Sequence, residues 1–316
     1  MIPVIDSTAP DLSDQLGQAF ERIGFATLIN HGIDSCVFDQ LRTLLGQLFS
    51  LPDDEKAALR ITPENYRGFI PLGFFTPNRT DRSGHAPDLY EGYKLHWECP
   101  PDHPVAAECR LYGPNRWPAS LPDLRGAIER YWAACDQLTA RLLDALADRL
   151  SVARPLLRAH FAAPLTNMTL LHYPPTTDHH VGIHPHKDTN VITLLHPDPT
   201  GGLQVRNSDG TWIEPTDPTE QALVVNVGEM LELWSGGRFR ATPHRVINQS
   251  GRDRYSFPFF VVPNHASVIE PLVEPLPGYH RDAMPVGALS DEVWQTNWPD
   301  RKPHDGRFDL GTLDRQ

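Results

Sequence analysis

The feature that most narrows the possible folds lies after Pro164. Short apolar runs rich in β-branched residues recur at 168–173, 191–196, 203–206, 222–227, 230–234, 242–248 and 255–262, with glycine, proline, asparagine and aspartate between them. Runs of this length and spacing are too short for helices and read as strands of a double-sheet barrel or jelly roll. The first half has another rhythm. Leu12, Leu16, Phe20 and Ile23 form a helical stripe over 11–23, a strand follows at 25–29, and helices are expected at 35–49 and just after Pro52. Residues 2–5 suit an edge strand, where Pro3 is tolerated. The strongest helix is predicted over 122–150. There Leu124, Ile128, Trp132, Cys135, Leu138, Leu142, Leu146 and Leu150 recur every three or four positions, and Pro122 suits a first turn.

Residues 60–120 carry no sustained period and read as loops and short strands. The expected organisation is a single domain over 1–316, mainly β with flanking helices. It comprises an N-terminal α/β region with loops (1–120), a long-helix region (121–163), a jelly-roll core (164–265) and a C-terminal tail (266–316).

Composition narrows the function. A formal net charge of −12 repels phosphate backbones and anionic headgroups, which argues against nucleic-acid and membrane partners. No apolar run approaches the ~20 residues needed to span a bilayer. Met1-Ile2-Pro3-Val4-Ile5-Asp6 lacks the basic-then-apolar layout of a signal peptide. Cys36, Cys99, Cys109 and Cys135 have neither metal-type spacing nor the density of a disulfide scaffold, so a cytoplasmic location is expected. Oligomeric state leaves no trace in the sequence.

The chemistry is carried by His186-Lys187-Asp188 and the later His244. Two imidazoles and a carboxylate on one side of a metal leave three adjacent positions open, as non-haem Fe(II) needs for a bidentate cosubstrate and O₂. In an extended segment His186 and Asp188 share a face and Lys187 points away. With 15 histidines and 40 acids in 316 residues, chance yields about two His-x-acid pairs. His96-Trp97-Glu98, His196-Pro197-Asp198 and His280-Arg281-Asp282 also occur. The first precedes the β-region, the second runs into a Pro/Gly turn, and the third lies in a turn-rich tail. Only His186 leads into a strand and has a later strand histidine to complete a site.

Arg254 and Ser256, two apart in a strand, share a face. A three-residue hairpin at Gln249-Ser250-Gly251 would pair Asn248 with Arg252, Val246 with Arg254 and His244 with Ser256. Arg254 would then lie roughly 7 Å along from His244, within reach of the far end of a metal-bound dicarboxylate. Its planar fork suits a carboxylate.

These residues resemble the isopenicillin N synthase-like branch of the iron(II)/2-oxoglutarate-dependent dioxygenases, over nearly the whole chain. The likeness begins at Ile2-Pro3-Val4-Ile5-Asp6, Gly24-Phe25, Asn30-His31-Gly32-Ile33 and Phe49-Ser50-Leu51-Pro52 with Glu55-Lys56. It continues through His186-Lys187-Asp188 with Thr193-Leu194-Leu195, then Gly202-Leu203-Gln204-Val205, Trp212, Asn226-Val227-Gly228-Glu229, His244-Arg245-Val246 and Arg254-Tyr255-Ser256.

The resemblance implies a distorted double-stranded β-helix (jelly-roll) core and Fe(II) held by His186, Asp188 and His244. It places 2-oxoglutarate on Arg254 and Ser256, with Tyr173 near the cosubstrate's other end. O₂ is the oxidant, and ascorbate is expected to stimulate turnover. The expected reaction hydroxylates, desaturates or cyclises a small molecule of secondary metabolism, releasing succinate and CO₂. One departure bears on Tyr173: many plant members carry Asn where this chain has Leu171. His180 and His184 are expected to be loop histidines near the barrel mouth. By analogy Tyr66, Arg67, Phe69, Tyr90, Tyr93, Lys94 and His96 border the substrate pocket. Lys94 or Arg67 would suit an anionic group, although lysines and arginines ordinarily face solvent. The C-terminal segment around Trp294 and Trp298 is placed over the site by the same analogy.

Two other readings stand beside this one. An oxidase without 2-oxoglutarate, of the isopenicillin N synthase or aminocyclopropane-carboxylate oxidase type, would use Arg254 and Ser256 for the substrate's own carboxylate. A non-catalytic ligand-binding or sensor protein would keep the fold without turnover.

Overall fold

The computed structural model describes residues 1–75, 87–100, 102–107, 109–176, 181–216, 221–248, 250–296 and 298, with 294–296 described by backbone alone. The helices are Leu12–Arg22 (α1), Ser35–Phe49 (α2), Asp53–Ala58 (α3), Asp123–Leu150 (α4), Arg154–Arg158 (α5), Glu229–Trp234 (α6) and Val286–Thr296 (α7). The first strands are Val4–Asp6 (β1), Phe25–Ile29 (β2), Gly68–Ile70 (β3), Glu91–His96 (β4) and Asn167–Tyr173 (β5). Val181–His186 (β6), Ile192–Leu195 (β7), Leu203–Arg206 (β8), Trp212–Ile213 (β9) and Leu223–Val227 (β10) follow. The last are His244–Ile247 (β11), Arg254–Ser256 (β12), Phe259–Val261 (β13), Val268–Ile269 (β14) and Met284–Pro285 (β15).

A nine-stranded sheet runs β1-β2-β10-β7-β13-β5-β4-β3, with β12 also paired to β5. A four-stranded sheet, β6-β11-β8-β9, faces it. Phe25, Leu171, Tyr173 and Val224 from the large sheet meet Leu203, Val205 and Val246 from the small one in one buried cluster, which fills part of the barrel interior. The other side of the large sheet is covered by helices. Tyr131 and Trp132 of α4 pack edge-on against Phe257 and Phe259, with centroids 5.3 and 5.0 Å apart. The α4 stripe expected from the sequence is buried, and a fully buried member such as Leu142 is worth about 2–5 kcal/mol by the usual cost of truncation to alanine.

Three expectations need correction. Residues 230–234 form a helix, not a strand: Met230, Leu231, Leu233 and Trp234 are all buried, at helical spacing. The 244–256 segment is not a hairpin. β11 pairs with β6 and β8, whereas β12 pairs with β5, so the chain changes sheets between them. Asn248 holds this corner, its Nδ2 donating to the carbonyls of Pro174 and Arg252 at 3.0 and 3.1 Å. Gly251 has the expected positive φ of 64°, while Gln249 lies outside the described residues. Lastly, His96 does not precede the β-region, because β4 pairs along its whole length with β5.

The outer face of β5 carries a pH-sensitive brace. His172 lies between Glu91 and Asp253, each ring nitrogen 2.7 Å from a carboxylate oxygen. Burial opposes the charged ring, but the two acids outweigh it and its pKa is raised. A raised folded-state pKa contributes stability below the ordinary value, and this is lost as pH rises through the folded value. Melting temperature should therefore fall as pH rises above the ordinary histidine range, with a shallower slope in His172→Gln. Identical slopes in thermal melts of the two proteins would remove His172 as the cause.

Candidate active site

His186 and His244 face each other directly across β6 and β11. Such cross-strand neighbours project side by side on the same face of a sheet, and here the ring centroids are 4.3 Å apart. β6 contains Pro185, which lacks a donor, and it is tolerated because β6 is an edge strand. Asp188 lies just beyond β6, with Oδ1 3.7 Å from the Nε2 of each histidine. One ligand atom from each of the three residues lies within 4.8 Å of the others. Lys187 points away as expected, its Nζ 4.0 Å from Glu232.

Hydrogen bonds decide which atoms remain for a metal. His186 Nδ1 faces the His184 carbonyl at 2.8 Å and His244 Nδ1 faces that of Thr242 at 3.2 Å. A carbonyl can only accept, so both protons sit on Nδ1 and both Nε2 lone pairs point inward. Asp188 Oδ2 accepts from Thr193 Oγ1 at 2.6 Å and Asn226 Nδ2 at 2.8 Å, leaving Oδ1 toward the histidines. Burial raises the Asp188 pKa, but His244, His186, Asn226 and Thr193 outweigh it and hold the carboxyl below its usual range. Burial and then His186 pull His244 down to about 4, so its imidazole is neutral at pH 7 and available as a ligand. Two imidazoles and one carboxylate, gathered on one side, form the donor set of non-haem iron(II).

The short helix α6 fixes the Asp188 loop. The backbone N–H groups of Glu229 and Met230 donate to the carbonyls of Asp188 and Asn190 at 2.8 and 3.1 Å, using donors that a helix start otherwise leaves unpaired. Gly228 is required there because a Cβ would lie 2.0 Å from the Asn190 carbonyl oxygen.

Arg254 is buried, paired in register with Tyr173 and 4.7 Å above its ring. Its Nε donates to the Gly201 carbonyl at 2.7 Å, while Nη1 has no partner among the described residues. The Gly201-Gly202 turn makes this approach possible, since Gly202 has φ of +88° and a Cβ there would meet the Ile247 carbonyl oxygen at 2.3 Å. Asp198 accepts from the Tyr255 N–H at 3.0 Å and fixes the same strand. Ser256 is buried and pairs with Leu171. Arg254 thus keeps the inward orientation expected of it, although β5 and not β11 is its neighbour. An orphaned guanidinium nitrogen beside a buried hydroxyl suits a carboxylate.

With this geometry in view, similarity to known proteins is decisive. Residues 164–263 match the 2OG-Fe(II) oxygenase superfamily, and residues 2–120 match the N-terminal region described as non-haem dioxygenase in morphine synthesis. The 2-oxoglutarate-dependent dioxygenase citB of Monascus ruber is 33% identical over 273 residues, 82% of this chain and 80% of the relative. The chain belongs to the iron(II)/2-oxoglutarate-dependent dioxygenases. Homoarginine-6-hydroxylase 2-ODD-C23.2 of Arabidopsis thaliana is 30% identical over 272 residues, 84% of this chain and 74% of that one. A full-length Neurospora crassa protein crystallised with alpha-KG and thymine superposes with a TM-score of 0.77 at 26% identity, covering 93% of this chain and 96% of that one. The dioxygenase therefore uses Fe(II), 2-oxoglutarate and O₂, and the oxidase and sensor readings give way.

The remaining pocket candidates of this dioxygenase divide by strand face. Lys94 pairs with Thr169 and His96 with Asn167, on the inward face that also carries Leu171 and Tyr173. Tyr66 and Tyr90 join them through ring contacts with His96 and Tyr173 at 6.2 and 6.0 Å. Phe69 and Tyr93 turn to the opposite, helix-covered face. Lys56 lies 5.2 Å over the Phe69 ring, and the Tyr93 hydroxyl donates to the Arg116 carbonyl at 2.8 Å. The structure does not bring these two into the barrel. Arg67 is buried and donates to the Leu111 carbonyl, contrary to its expected exposure, and braces the segment after β4.

His184 lies within β6, not in a loop, its Nδ1 2.6 Å from Asp88. His180 lies outside the described residues. So does the Trp294 side chain, while Trp298 sits edge-on to Phe74 at 5.2 Å. The supporting roles of Asn226, Asn190 and Gly201 were not anticipated. Asn226 alone left a signal, as a polar residue inside the apolar run of β10.

Proposed function

We propose that His186, Asp188 and His244 hold the iron and that Arg254 and Ser256, with Tyr173 beside them, hold 2-oxoglutarate. The observation that carries this reading is the unpartnered Nη1 of buried Arg254, a residue paired in register with Tyr173 of the barrel's interior cluster. When bound, iron and 2-oxoglutarate together activate O₂ to oxidise the substrate, with release of succinate and CO₂. The chain's own residues supply position. Thr193 and Asn226 fix the Asp188 carboxylate, two carbonyls fix the histidine tautomers, and Gly201 fixes the guanidinium plane.

The substrate in this reading is a small molecule of secondary metabolism, in keeping with relatives named for homoarginine or crystallised with thymine. We place the enzyme in the cytoplasm as one dioxygenase domain. Cys36, Cys99, Cys109 and Cys135 are all free thiols, which suits a reducing compartment. Incubation with Fe(II), ascorbate and 2-oxoglutarate, in air and under argon, tests the assignment. Succinate should form only in air and stop on chelation of the metal. Iron-loaded protein that neither binds 2-oxoglutarate nor forms succinate would overturn it.

A further inference from the structure

Lys94 is the cation in this barrel that the cosubstrate chemistry leaves unused. Its ammonium donates to Asn167 Oδ1 at 2.6 Å and Thr169 Oγ1 at 2.9 Å, both neutral. It lies 5.8 and 5.4 Å over the rings of Tyr66 and Phe260. Lys56 and Lys187 face carboxylates at 3.3 and 4.0 Å, but Lys94 faces none among the described residues. Its neighbours are cationic or neutral. His96 is buried with Nδ1 unpartnered, Arg67 is buried with Nε unpartnered, and both Arg67 and Lys94 disfavour protonation of His96. Glu98, Cys99 and Cys109 act on Arg67, not on Lys94. Lys94 is half-buried, and partial desolvation of a cation without a counter-charge is costly; here it draws the pKa down to about 7. An arriving anion would remove that cost.

The position suits a substrate group. Asn167, Phe260, Thr193 and Asn226 form one transverse row across the large sheet, so Asn167 lies two strands from the Thr193 that supports Asp188. At ~4.8 Å per strand that is roughly 10 Å, the length of a small molecule. Along the other side an aromatic series links the clamp to the lysine. Tyr173 meets Tyr90 at 6.0 Å, Tyr90 meets Phe75 at 6.3 Å and Phe75 meets Tyr66 at 6.3 Å.

We propose that Lys94 anchors a carboxylate on the substrate, making this dioxygenase's substrate a small acid with a flat, apolar or aromatic body. The inference rests on the barrel being the reaction chamber, as proposed above. Its test is calorimetric titration of the iron- and 2-oxoglutarate-loaded protein under argon with benzoate, phenylacetate and 3-phenylpropionate, each beside its neutral amide. At least one acid should bind about tenfold or more tighter than its amide. That preference should disappear in Lys94→Met, survive in Lys94→Arg, and stay unchanged in the parent when 2-oxoglutarate is raised about tenfold above saturation. Lys94→Met should melt no lower than the parent, since it removes a poorly compensated charge, so loss of binding is not loss of fold.

Equal binding of acids and amides by the parent, or a preference that persists in Lys94→Met, would overturn the proposal. So would a preference lost as 2-oxoglutarate is raised, which would mean the acids compete for the cosubstrate clamp. Failure of 2-oxoglutarate itself to bind the parent would count against the cosubstrate assignment, and the acid–amide comparison would still decide the role of Lys94.

Discussion

Replacing Asp188 with alanine should abolish stoichiometric iron binding and lower oxygen-dependent succinate formation by at least about three orders of magnitude, the equivalent of several kcal/mol of metal chemistry. Asp188 is the one ligand that both histidines face, at 3.7 Å each, and the one anion among the three. Without it two imidazoles remain, too few donors to hold Fe(II) against water and buffer. Asn226→Leu should behave differently. It removes one of two hydrogen bonds to Asp188 Oδ2 and leaves Thr193 in place, so iron affinity should fall by about 10–100-fold and recover at higher iron concentration. Metal analysis after desalting, followed by an iron titration of succinate formation, distinguishes the two. An Asp188→Ala protein that retains iron at full stoichiometry would rule out the triad.

Much of this site could be read from residue order, and where it could not the reason is physical. α2 and the long stripe of α4 were visible because amphipathic periodicity is local. The triad was visible because two of its members are two residues apart. The strand partners were not. A glycine turn between two short strands ordinarily makes a hairpin, but in a double-sheet barrel consecutive strands can belong to opposite sheets, and no local signal separates the two outcomes. Here the separating feature is the Asn248 side chain, which bonds the carbonyls of Pro174 and Arg252.

β6 escaped notice because Val181-Gly182-Ile183-His184-Pro185-His186 lacks a strand composition, and its edge position is what permits Pro185. Residues 230–234 alternate around Glu232 like a strand, yet both apolar flanks can be buried only on a helix. Lys94 and Arg67 ran against the ordinary exposure of their types. Their inward placement follows from the register of β4 on β5 and from the buried segment around Leu111, neither of which is local in sequence.

Truncation of Arg254 should act on the cosubstrate and spare the metal. Arg254→Ala should bind iron normally but require about 100-fold more 2-oxoglutarate for half-maximal succinate formation. The 2–5 kcal/mol cost of removing one partner of a buried charged hydrogen-bonded pair corresponds to roughly that factor or more. The side chain is almost fully buried and rests on the Tyr173 ring, and its Nε is already committed to Gly201. Recognition of an incoming carboxylate therefore falls to the outer guanidinium nitrogens. Arg254→Lys keeps a charge but cannot bond Gly201 and a carboxylate with the same planar fork, so it should lie between parent and alanine variant, closer to alanine. Ser256→Ala, which removes one neutral hydrogen bond, should cost about tenfold or less. Anaerobic titration of each iron-loaded protein with 2-oxoglutarate, followed by its visible absorption band, gives these affinities without turnover. If Arg254→Ala titrates like the parent, the carboxylate lies elsewhere in the barrel, and Lys94 becomes the cation to examine for that role.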